Sequence, residues 1–463
     1  MESEIDLAIA SRADLVGLIE QLLHRLEVVE AQLATVTAEN ERLRQGKDKP
    51  SWVNANRPIG EAKPRKKRDR GYGRRREPPT HRVAHSVAMC PTCQVPLTGG
   101  QVRSRRQVIE LPRVRVRVVE HVVLTRTCPQ CQARCTPAAP LRGIVLGRQR
   151  VGASVQSEVA VLREEERLPY AVIQQHLQRR YDLHLSVGEL VALVEGVATQ
   201  GQAAYAALRD ELRASPVVHG DETGWRENGR NGYLWSFSSP RVRYFTYRQS
   251  RGSAVVAQVL GPAFEGVLAS DFYGAYNVHA GEHQRCWVHL LRDSHDLKQH
   301  HPADEAVLTW AKAVQTLYQR ATAYGGPDPT LPAPQQQAAR RQQQRQFEQE
   351  LWALCAPHVK TAVPMRVLCE RVERFLPELF VFVANPQVPP DNNAAERSLR
   401  PSVISRKISG GTRSPLGSET KSILASLVGT YRLRGRDTYQ ALRALLSSPK
   451  VVRATPAAPT APV

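Results

Sequence analysis

The chain has 463 residues, and its 64 Lys and Arg against 44 Asp and Glu give a formal net charge of +20. That length allows roughly two to four domains. The positive surplus favours a polyanionic partner, because neutralising phosphates releases their counterions. Nucleic acid is the first expectation and an anionic membrane surface the rival. An acidic start and the lack of an uncharged apolar run of roughly 18 residues exclude a signal peptide and a membrane span, so we expect a soluble, intracellular protein.

The N-terminal segment carries a heptad pattern between residues 12 and 43. Ile19, Leu26 and Leu33 fall at one seam position, and a second set of leucines and valines follows each of them by three residues. Four such heptads predict a coiled coil over residues 1–46 that joins copies of the chain into a homo-oligomer. An amphipathic helix that packs on its own domain is the alternative.

Residues 47–85 change character and have no apolar periodicity. The stretch KPRKKRDRGYGRRR (63–76) holds nine basic residues and one acid. Such charge density predicts a disordered basic linker. Arg74, Arg75 and Arg76 are the candidate DNA-phosphate contacts of this arm, which would add affinity without sequence choice.

Two C-x-x-C pairs follow, within a predicted zinc-ribbon-like domain at 86–140. They are Cys90 with Cys93, and Cys128 with Cys131. Two such pairs in an intracellular chain favour four thiolates around one structural Zn²⁺. The intervening RVRVRVVEHVVLTRT alternates with period two and predicts a β-hairpin. A redox pair or free thiols are the alternative, and Cys135 could replace one of the ligands.

Residues 141–213 have apolar residues at helical spacing, broken at LPY, with Ser186 as a possible N-cap. Short helices with tight turns predict a helical DNA-binding domain that could contain a helix-turn-helix.

From residue 214 the pattern becomes strand-like, in the order β-β-β-α-β-α. Acids follow two apolar strands and stand on a late helix, which is the arrangement of a ribonuclease-H-like core. We therefore predict a multidomain α+β protein with an α/β catalytic core. Its segments are 214–300 and 386–425, with a helical insertion at 301–385 and a C-terminal helix and disordered tail at 426–463.

Three acids, Asp221, Asp271 and Glu396, fall at matching places in this fold. Three carboxylates without His or Cys suit Mg²⁺ or Mn²⁺, and two such ions per site can clamp both oxygens of a phosphoryl transfer. Glu222 is expected to be a secondary ligand or to face solvent, because side chains alternate along a strand. The alternative to a metal ligand is that each acid is a turn or helix-cap residue, and Asn393 with Glu396 matches a capping box. The candidate DNA contacts around this site are His289, Arg397, Arg400, Arg406 and Lys407.

Five motifs together resemble the transposases of the insertion-sequence-66 family. They are HGDETGW (219–225), SDFYGAY (270–276), CWVHLLR (286–292), DNNAAERSLRP (391–401) and SGG (409–411). The resemblance implies that Asp221, Asp271 and Glu396 form a catalytic Asp-Asp-Glu triad. It also implies DNA partners, namely the inverted repeats of a transposon and a target, and accessory proteins of the same element. A bacterial, cytoplasmic, nucleoid-associated protein is then expected.

Three functions remain open from the sequence. The first is a transposase that cleaves element ends and joins the 3′-hydroxyl to target DNA. The second is a non-catalytic DNA-binding regulator with a zinc site and a coiled coil. The third is a ribonuclease-H-like nuclease without strand transfer. Metal-dependent cleavage separates the second from the others, and joining of a precleaved end separates the first from the third.

Overall fold

A computed structural model describes residues 77–112, 114–137, 144 and 149–447, with a few separate helical positions between 16 and 37. The predicted basic arm with Arg74, Arg75 and Arg76, most of the predicted coiled coil and the end of the C-terminal tail lie outside the described residues. The chain divides into two units, residues 1–110 and 111–463. Within the described part, no helix combines the length and apolar character needed to cross a membrane.

The segment between the two cysteine pairs contains less strand than the alternation predicts. Two short strands, β1 (Arg126–Thr127) and β2 (Arg134–Cys135), pair antiparallel across the second cysteine pair. The predicted hairpin between the pairs is wrong for residues 114–125, which carry no strand. Val118 in this stretch is 89% exposed. An alternating pattern forms a strand only where a neighbour pairs with its backbone and covers its apolar face.

Between residues 149 and 216, three helices precede the main sheet: α1 (Ala153–Glu164), α2 (Tyr170–Tyr181) and α3 (Val187–Arg213). Ser186 caps α3 in a capping box, since its hydroxyl accepts from the Glu189 N–H and the Glu189 carboxylate accepts from the Ser186 N–H. The predicted N-cap is therefore confirmed. These reciprocal bonds satisfy two of the four N–H groups that a helix start leaves free.

The main sheet has five strands: β3 (Val217–Glu227), β4 (Arg230–Ser238), β5 (Arg243–Arg248), β6 (Val267–Ser270) and β7 (His283–Arg285). Their order across the sheet is β5-β4-β3-β6-β7. The first three form an antiparallel meander, and β6 and β7 run parallel to β3. A short helix, α4 (Ala254–Leu260), connects β5 to β6.

The strand order along the chain differs from the prediction by one strand. The predicted order lacks β7, whose three residues His283, Gln284 and Arg285 are polar but buried. The Gln284 side chain finds its partners within the protein: its Nε2 amide group donates to the Leu379 carbonyl, and its Oε1 atom accepts from the Phe382 N–H. Buried polar groups are tolerated when they are hydrogen-bonded, and such a strand has no apolar signature.

Three helices follow the sheet at the end of the described residues: α10 (Asn393–Ser409), α11 (Pro415–Leu433) and α12 (Thr438–Ser447). The helix α11 covers the open edge of β5. Its Ser422, Ser426 and Thr430 hydroxyls accept from the backbone N–H groups of alternate β5 residues, with donor–acceptor distances of 2.9, 2.8 and 3.0 Å. A row of hydroxyls four residues apart thus satisfies an edge that would otherwise offer unpaired N–H groups.

A helical region with its own apolar core lies between β7 and α10. Its helices are α5 (Trp287–His300), α6 (Glu305–Thr322), α7 (Ala333–Cys355), α8 (Arg366–Phe375) and α9 (Val381–Ala384). Trp287, Trp310, Phe347 and Phe380 are buried in this core. Because Trp287 stands at the start of α5, the core begins directly after the last strand.

Candidate metal and nucleic-acid site

Asp221 lies at the point where β3 loses one neighbour. The parallel pairing of β3 with β6 ends at His219 opposite Ala269, whereas the antiparallel pairing with β4 continues to Glu227. Asp221 is therefore inside the strand and not at its end as the sequence predicts, but it stands just past the last β6 pair. One carboxylate oxygen accepts from the Glu222 N–H at 2.8 Å.

Asp271 follows β6 directly and so reaches the same edge of the sheet. Its backbone carbonyl accepts from Arg285 Nη1 at 2.8 Å and from the Ser270 hydroxyl at 2.8 Å. The Arg285 side chain is buried and also binds Glu378. One Asp271 side-chain oxygen accepts from the Tyr273 N–H at 2.9 Å. These hydrogen bonds hold both the backbone carbonyl and the side chain of Asp271 in place.

Glu396 stands in the first turns of α10, and its cap differs from the prediction. The capping box with Asn393 is wrong: α10 begins at Asn393, and the N-cap is Asn392, whose side chain makes no capping bond. The amide group of Asn392 instead donates to the Gly220 carbonyl at 2.7 Å, and its oxygen contacts His219 Nδ1 at 3.2 Å. Buried Asn392 thus attaches the start of α10 to β3, next to Asp221.

The three predicted acids come close enough to influence one another. Burial, together with repulsion from Glu222, Asp271 and Glu396, raises the pKa of Asp221 to about 8. Like charges disfavour ionisation of a neighbour only when they are near. Asp221 therefore lies within electrostatic reach of both Asp271 and Glu396.

Glu396 and His289 leave two buried polar atoms without partners. Among the described residues, neither Glu396 Oε1 nor His289 Nδ1 has a hydrogen-bond partner. The His289 Nε2 atom lies 3.9 Å from Glu396 Oε1. Buried polar atoms in native structures are usually satisfied, and an unsatisfied carboxylate oxygen inside an acid cluster is an atom that a cation would satisfy.

The acid cluster fits a divalent metal ion in its chemistry. As the side chains stand, no three His, Cys, Asp or Glu groups in the described ranges converge on one point. The Asp221 and Asp271 oxygens are each turned to a local N–H donor. Hard carboxylate oxygens are the ligands that Mg²⁺ and Mn²⁺ prefer, and a cation would remove the repulsion that raises the pKa of Asp221.

Glu222 faces neither solvent nor the α10 side of the sheet. Its side chain is 3% exposed, which excludes the solvent-facing alternative. The Tyr276 hydroxyl donates to Glu222 Oε2 at 2.6 Å, and Arg251 donates to Oε1 at 2.7 and 2.8 Å. A side chain at Gly220 would meet the Tyr276 ring at 2.7 Å, so the glycine allows Tyr276 to lie against β3. Sequence reasoning missed Arg251 and Tyr276, although the aromatic residues after Asp271 were a usable signal.

The predicted DNA contacts on α10 divide into two groups. Arg397, Arg400 and Lys407 are exposed. Arg406 is partly buried and donates to the Thr223 hydroxyl and the Gly224 carbonyl on β3. The structure therefore gives Arg406 a bracing contact, and its role in DNA binding stays a prediction. The exposed basic side chains of this helix, which also carries Glu396, place positive charge near the acids.

Each cysteine pair forms the same tight turn. The Cys90 N–H donates to the Val95 carbonyl and the Cys128 N–H to the Ala133 carbonyl, both at 2.9 Å. The pKa of Cys90 is lowered first by the Cys93 backbone N–H, and that of Cys128 by the Cys131 backbone N–H. N–H donors to sulfur favour the thiolate, the form that binds metal. Zinc binding stays a prediction.

The raised pKa of Asp221 predicts a pH-dependent stability. The folded pKa of about 8 exceeds the ordinary 3.8, so the stabilisation from protonated Asp221 is complete below about pH 4 and is lost as the pH rises through about 8. Asp221→Asn stays neutral. Its melting temperature in EDTA should match the wild type near pH 4 and exceed it increasingly up to pH 8, by about 2–4 °C for each kcal/mol.

Thermal melts across pH check this expectation, and Mg²⁺ supplies the control. Added Mg²⁺ should raise the wild-type melting temperature at pH 8 and leave the variant almost unchanged, because a bound ion stabilises only the form that binds it. Equal melting of both proteins at pH 8 in EDTA would contradict the raised pKa of Asp221 that burial and the neighbouring acids cause.

Two comparisons with known proteins bear on the site. A family model described as "Transposase IS66 family" matches residues 148–420, which is more than half of the chain and includes all three acids. An "Uncharacterized protein y4qI" of Sinorhizobium fredii (strain NBRC 101917 / NGR234) is 27% identical over 237 residues, covering 44% of this chain and 41% of that protein. The chain thus spans less than half the length of this relative.

Proposed function

The chain belongs to the IS66 transposase family, and on that premise we propose that it binds the ends of its element, cleaves the DNA and joins the freed 3′-hydroxyl to target DNA. Asp221, Asp271 and Glu396 are the proposed catalytic triad and the ligands of two Mg²⁺ or Mn²⁺ ions. Membership of the family supports a DNA-processing enzyme, and the triad, the ions and the joining step are the finer parts of the proposal.

One observation carries the proposal most directly. The acids predicted from sequence lie 50 and 125 residues apart along the chain, yet they are near enough to raise the pKa of Asp221 together. Proteins seldom bury like charges side by side without a counter-ion. The strand order, an antiparallel meander with two parallel strands added beside β3, supports the ribonuclease-H-like core.

The side chains of the site have separate tasks in this proposal. When bound, the metal ions would supply Lewis-acid activation of the attacking oxygen and stabilisation of the leaving oxygen. Asp221 on β3 and Asp271 just after β6 would hold the ions, together with Glu396 on α10. Arg397 and Arg400 are exposed on the helix that carries Glu396, and they are proposed to bind the DNA phosphate backbone. His289, whose Nε2 atom lies 3.9 Å from Glu396 Oε1, is the proposed DNA contact next to that acid.

The remaining parts of the chain are assigned by sequence. The heptads between 12 and 43 are proposed to join copies of the chain, and Arg74, Arg75 and Arg76 to add sequence-independent affinity. The cysteines are proposed to bind structural zinc. Accessory proteins of the same element are proposed partners on the family resemblance alone.

Cleavage of a defined DNA end tests the function. The substrate is a linear duplex made from the sequence that flanks the gene, with its inverted repeats, incubated with purified full-length protein and Mg²⁺. We expect a nick at the repeat boundary and, with a precleaved end and a supercoiled plasmid, a joined product. EDTA should abolish both.

The alternatives give different products in the same assay. A nuclease without strand transfer nicks the duplex and never joins the precleaved end. A regulator binds the repeat and leaves it intact at any Mg²⁺ or Mn²⁺ concentration. Either pattern contradicts the proposed function.

A further inference from the structure

Arg251 is held at the edge of the acid cluster by more contacts than neutralising a charge requires. It follows β5 and is 45% exposed, while the carboxylate that it binds, Glu222, is 3% exposed. Arg251 donates through Nε and Nη2 to the same oxygen of Glu222, at 2.8 and 2.7 Å. Glu222 adjoins Asp221, so the ion pair is fixed to the strand that carries the first acid.

Two tyrosines brace the guanidinium group on its faces. The Arg251 Cζ atom lies 4.0 Å from the centre of the Tyr273 ring and 5.7 Å from that of Tyr233. Stacking on aromatic faces attracts a cation and restricts its rotamers. The Tyr273 hydroxyl also donates to the Arg251 carbonyl at 3.0 Å. The side chain is therefore pre-organised before any ligand arrives.

The same contacts connect Arg251 to both aspartates. Glu222 is the neighbour of Asp221, and the Tyr273 N–H donates to Asp271 Oδ1 at 2.9 Å. The Arg251 Nη1 group makes no hydrogen bond to any described residue, and the side chain is 45% exposed, so donors remain for a ligand. A guanidinium has five N–H donors in a fixed plane, and Glu222 uses only two of them.

A fixed, half-exposed guanidinium beside a cluster of acids suits a phosphodiester. Arg presents paired donors that match phosphate oxygens, and such charge-assisted bonds are among the strongest in proteins. The acids themselves repel DNA, so a cation held at their edge offsets that repulsion where the backbone must approach. An arginine that only neutralised the Glu222 carboxylate would need neither this exposure nor the support of two aromatic rings.

We propose that Arg251, braced by Glu222, Tyr233 and Tyr273, is a DNA-backbone contact that holds a phosphodiester beside the Asp221–Asp271 edge of the site. This inference rests on the proposed function for the location of the substrate. The proposal adds to the predicted DNA contacts a residue that does not lie on α10. It also gives the buried Glu222 side chain a role, which is to position Arg251.

Salt-dependent binding of a random-sequence duplex of about 30 base pairs tests the contact without requiring cleavage. Full-length Arg251→Met should show a slope of log Kd against log salt that is lower by about one, and roughly threefold to tenfold weaker binding at fixed salt. Arg241→Met is the matched control. Arg241 is 79% exposed, is also paired with a glutamate, and lies at the other end of β5; its slope should stay that of the wild type.

A double variant separates DNA contact from simple charge neutralisation. Arg251→Met leaves Glu222 buried without its partner, whereas Glu222→Gln with Arg251→Met removes both charges and should restore the melting temperature. If Arg251 contacts DNA, the double variant keeps the reduced slope. A wild-type slope in the double variant, or in a folded Arg251→Met, overturns the proposal. If the wild-type protein does not cleave the DNA, the proposed function is contradicted, but this binding test can still be interpreted.

Discussion

Glu396→Gln is expected to lower DNA cleavage by about a thousandfold or more, as removal of an electrostatic catalytic group does, while the protein folds and binds DNA normally. The substitution keeps the size and the hydrogen-bonding shape of the side chain and removes only its negative charge. If Glu396 helps to hold a divalent ion, that charge is essential. If Glu396 only supports the helix, glutamine replaces it without loss.

The structure strengthens this test in two ways. Glu396 makes no capping bond, and its Oε1 atom has no partner among the described residues, so glutamine removes no contact that stabilises α10. The carboxylate also raises the pKa of Asp221. The variant should therefore melt at the wild-type temperature or slightly above it in EDTA, because one repulsive charge is gone.

Cleavage rates in Mg²⁺, a thermal melt and a DNA-binding isotherm check the expectation together. Asp221→Asn and Asp271→Asn should lose cleavage to a similar degree, and any two substitutions together should add little, because a metal site fails as a unit. Near-normal nicking by purified Glu396→Gln contradicts the catalytic role and moves the third ligand to Asp391 or elsewhere.

The acid cluster was within reach of sequence reasoning because its signals are local. The apolar run before each of Asp221 and Asp271 predicts a buried strand, although Asp221 proved to lie inside β3 and comes near Asp271 only because β6 pairs with β3 up to His219. Glu396 is then found by its place on a late helix. The antiparallel meander and α3 with its Ser186 cap were predictable for the same reason, since their patterns are complete within a short window.

The supporting contacts could not be predicted, because each depends on residues far apart in the chain. Glu222 has the local pattern of an exposed strand residue, and only the tertiary fold buries it against Arg251, 29 residues away, and Tyr276, 54 residues away. The strand β7 is polar, and its burial depends on Gln284 finding partners near residue 380. The periodicity of a sequence indicates which face of a strand is apolar. It cannot indicate that a polar side chain will be buried against a partner from a distant part of the chain.

The attachment of α10 to β3 is the remaining feature that local patterns hide, and it predicts a second large loss of activity. Asn392→Ala should lower cleavage by about tenfold to a hundredfold, the effect of a small misplacement in a reacting group. Asn392 is 2% exposed. Its amide group bonds to Gly220, the neighbour of Asp221, and its own N–H donates to the Cys286 sulfur at 3.2 Å. One side chain thus sets the position of the helix that carries Glu396.

The expected signature of Asn392→Ala is a change in metal dependence as well as in rate. If Asn392 positions Glu396 against Asp221, the variant should need more Mg²⁺ for half-maximal cleavage, while DNA affinity stays that of the wild type. Asn393→Ala is the matched control, because the next residue is also asparagine, is only partly buried, and uses its backbone N–H with Asp391. A lost buried hydrogen bond lowers stability by about 1–3 kcal/mol, so activity is compared below the melting range of the variant. A variant that is merely less stable keeps the wild-type Mg²⁺ requirement there, and that result would assign Asn392 to the fold alone.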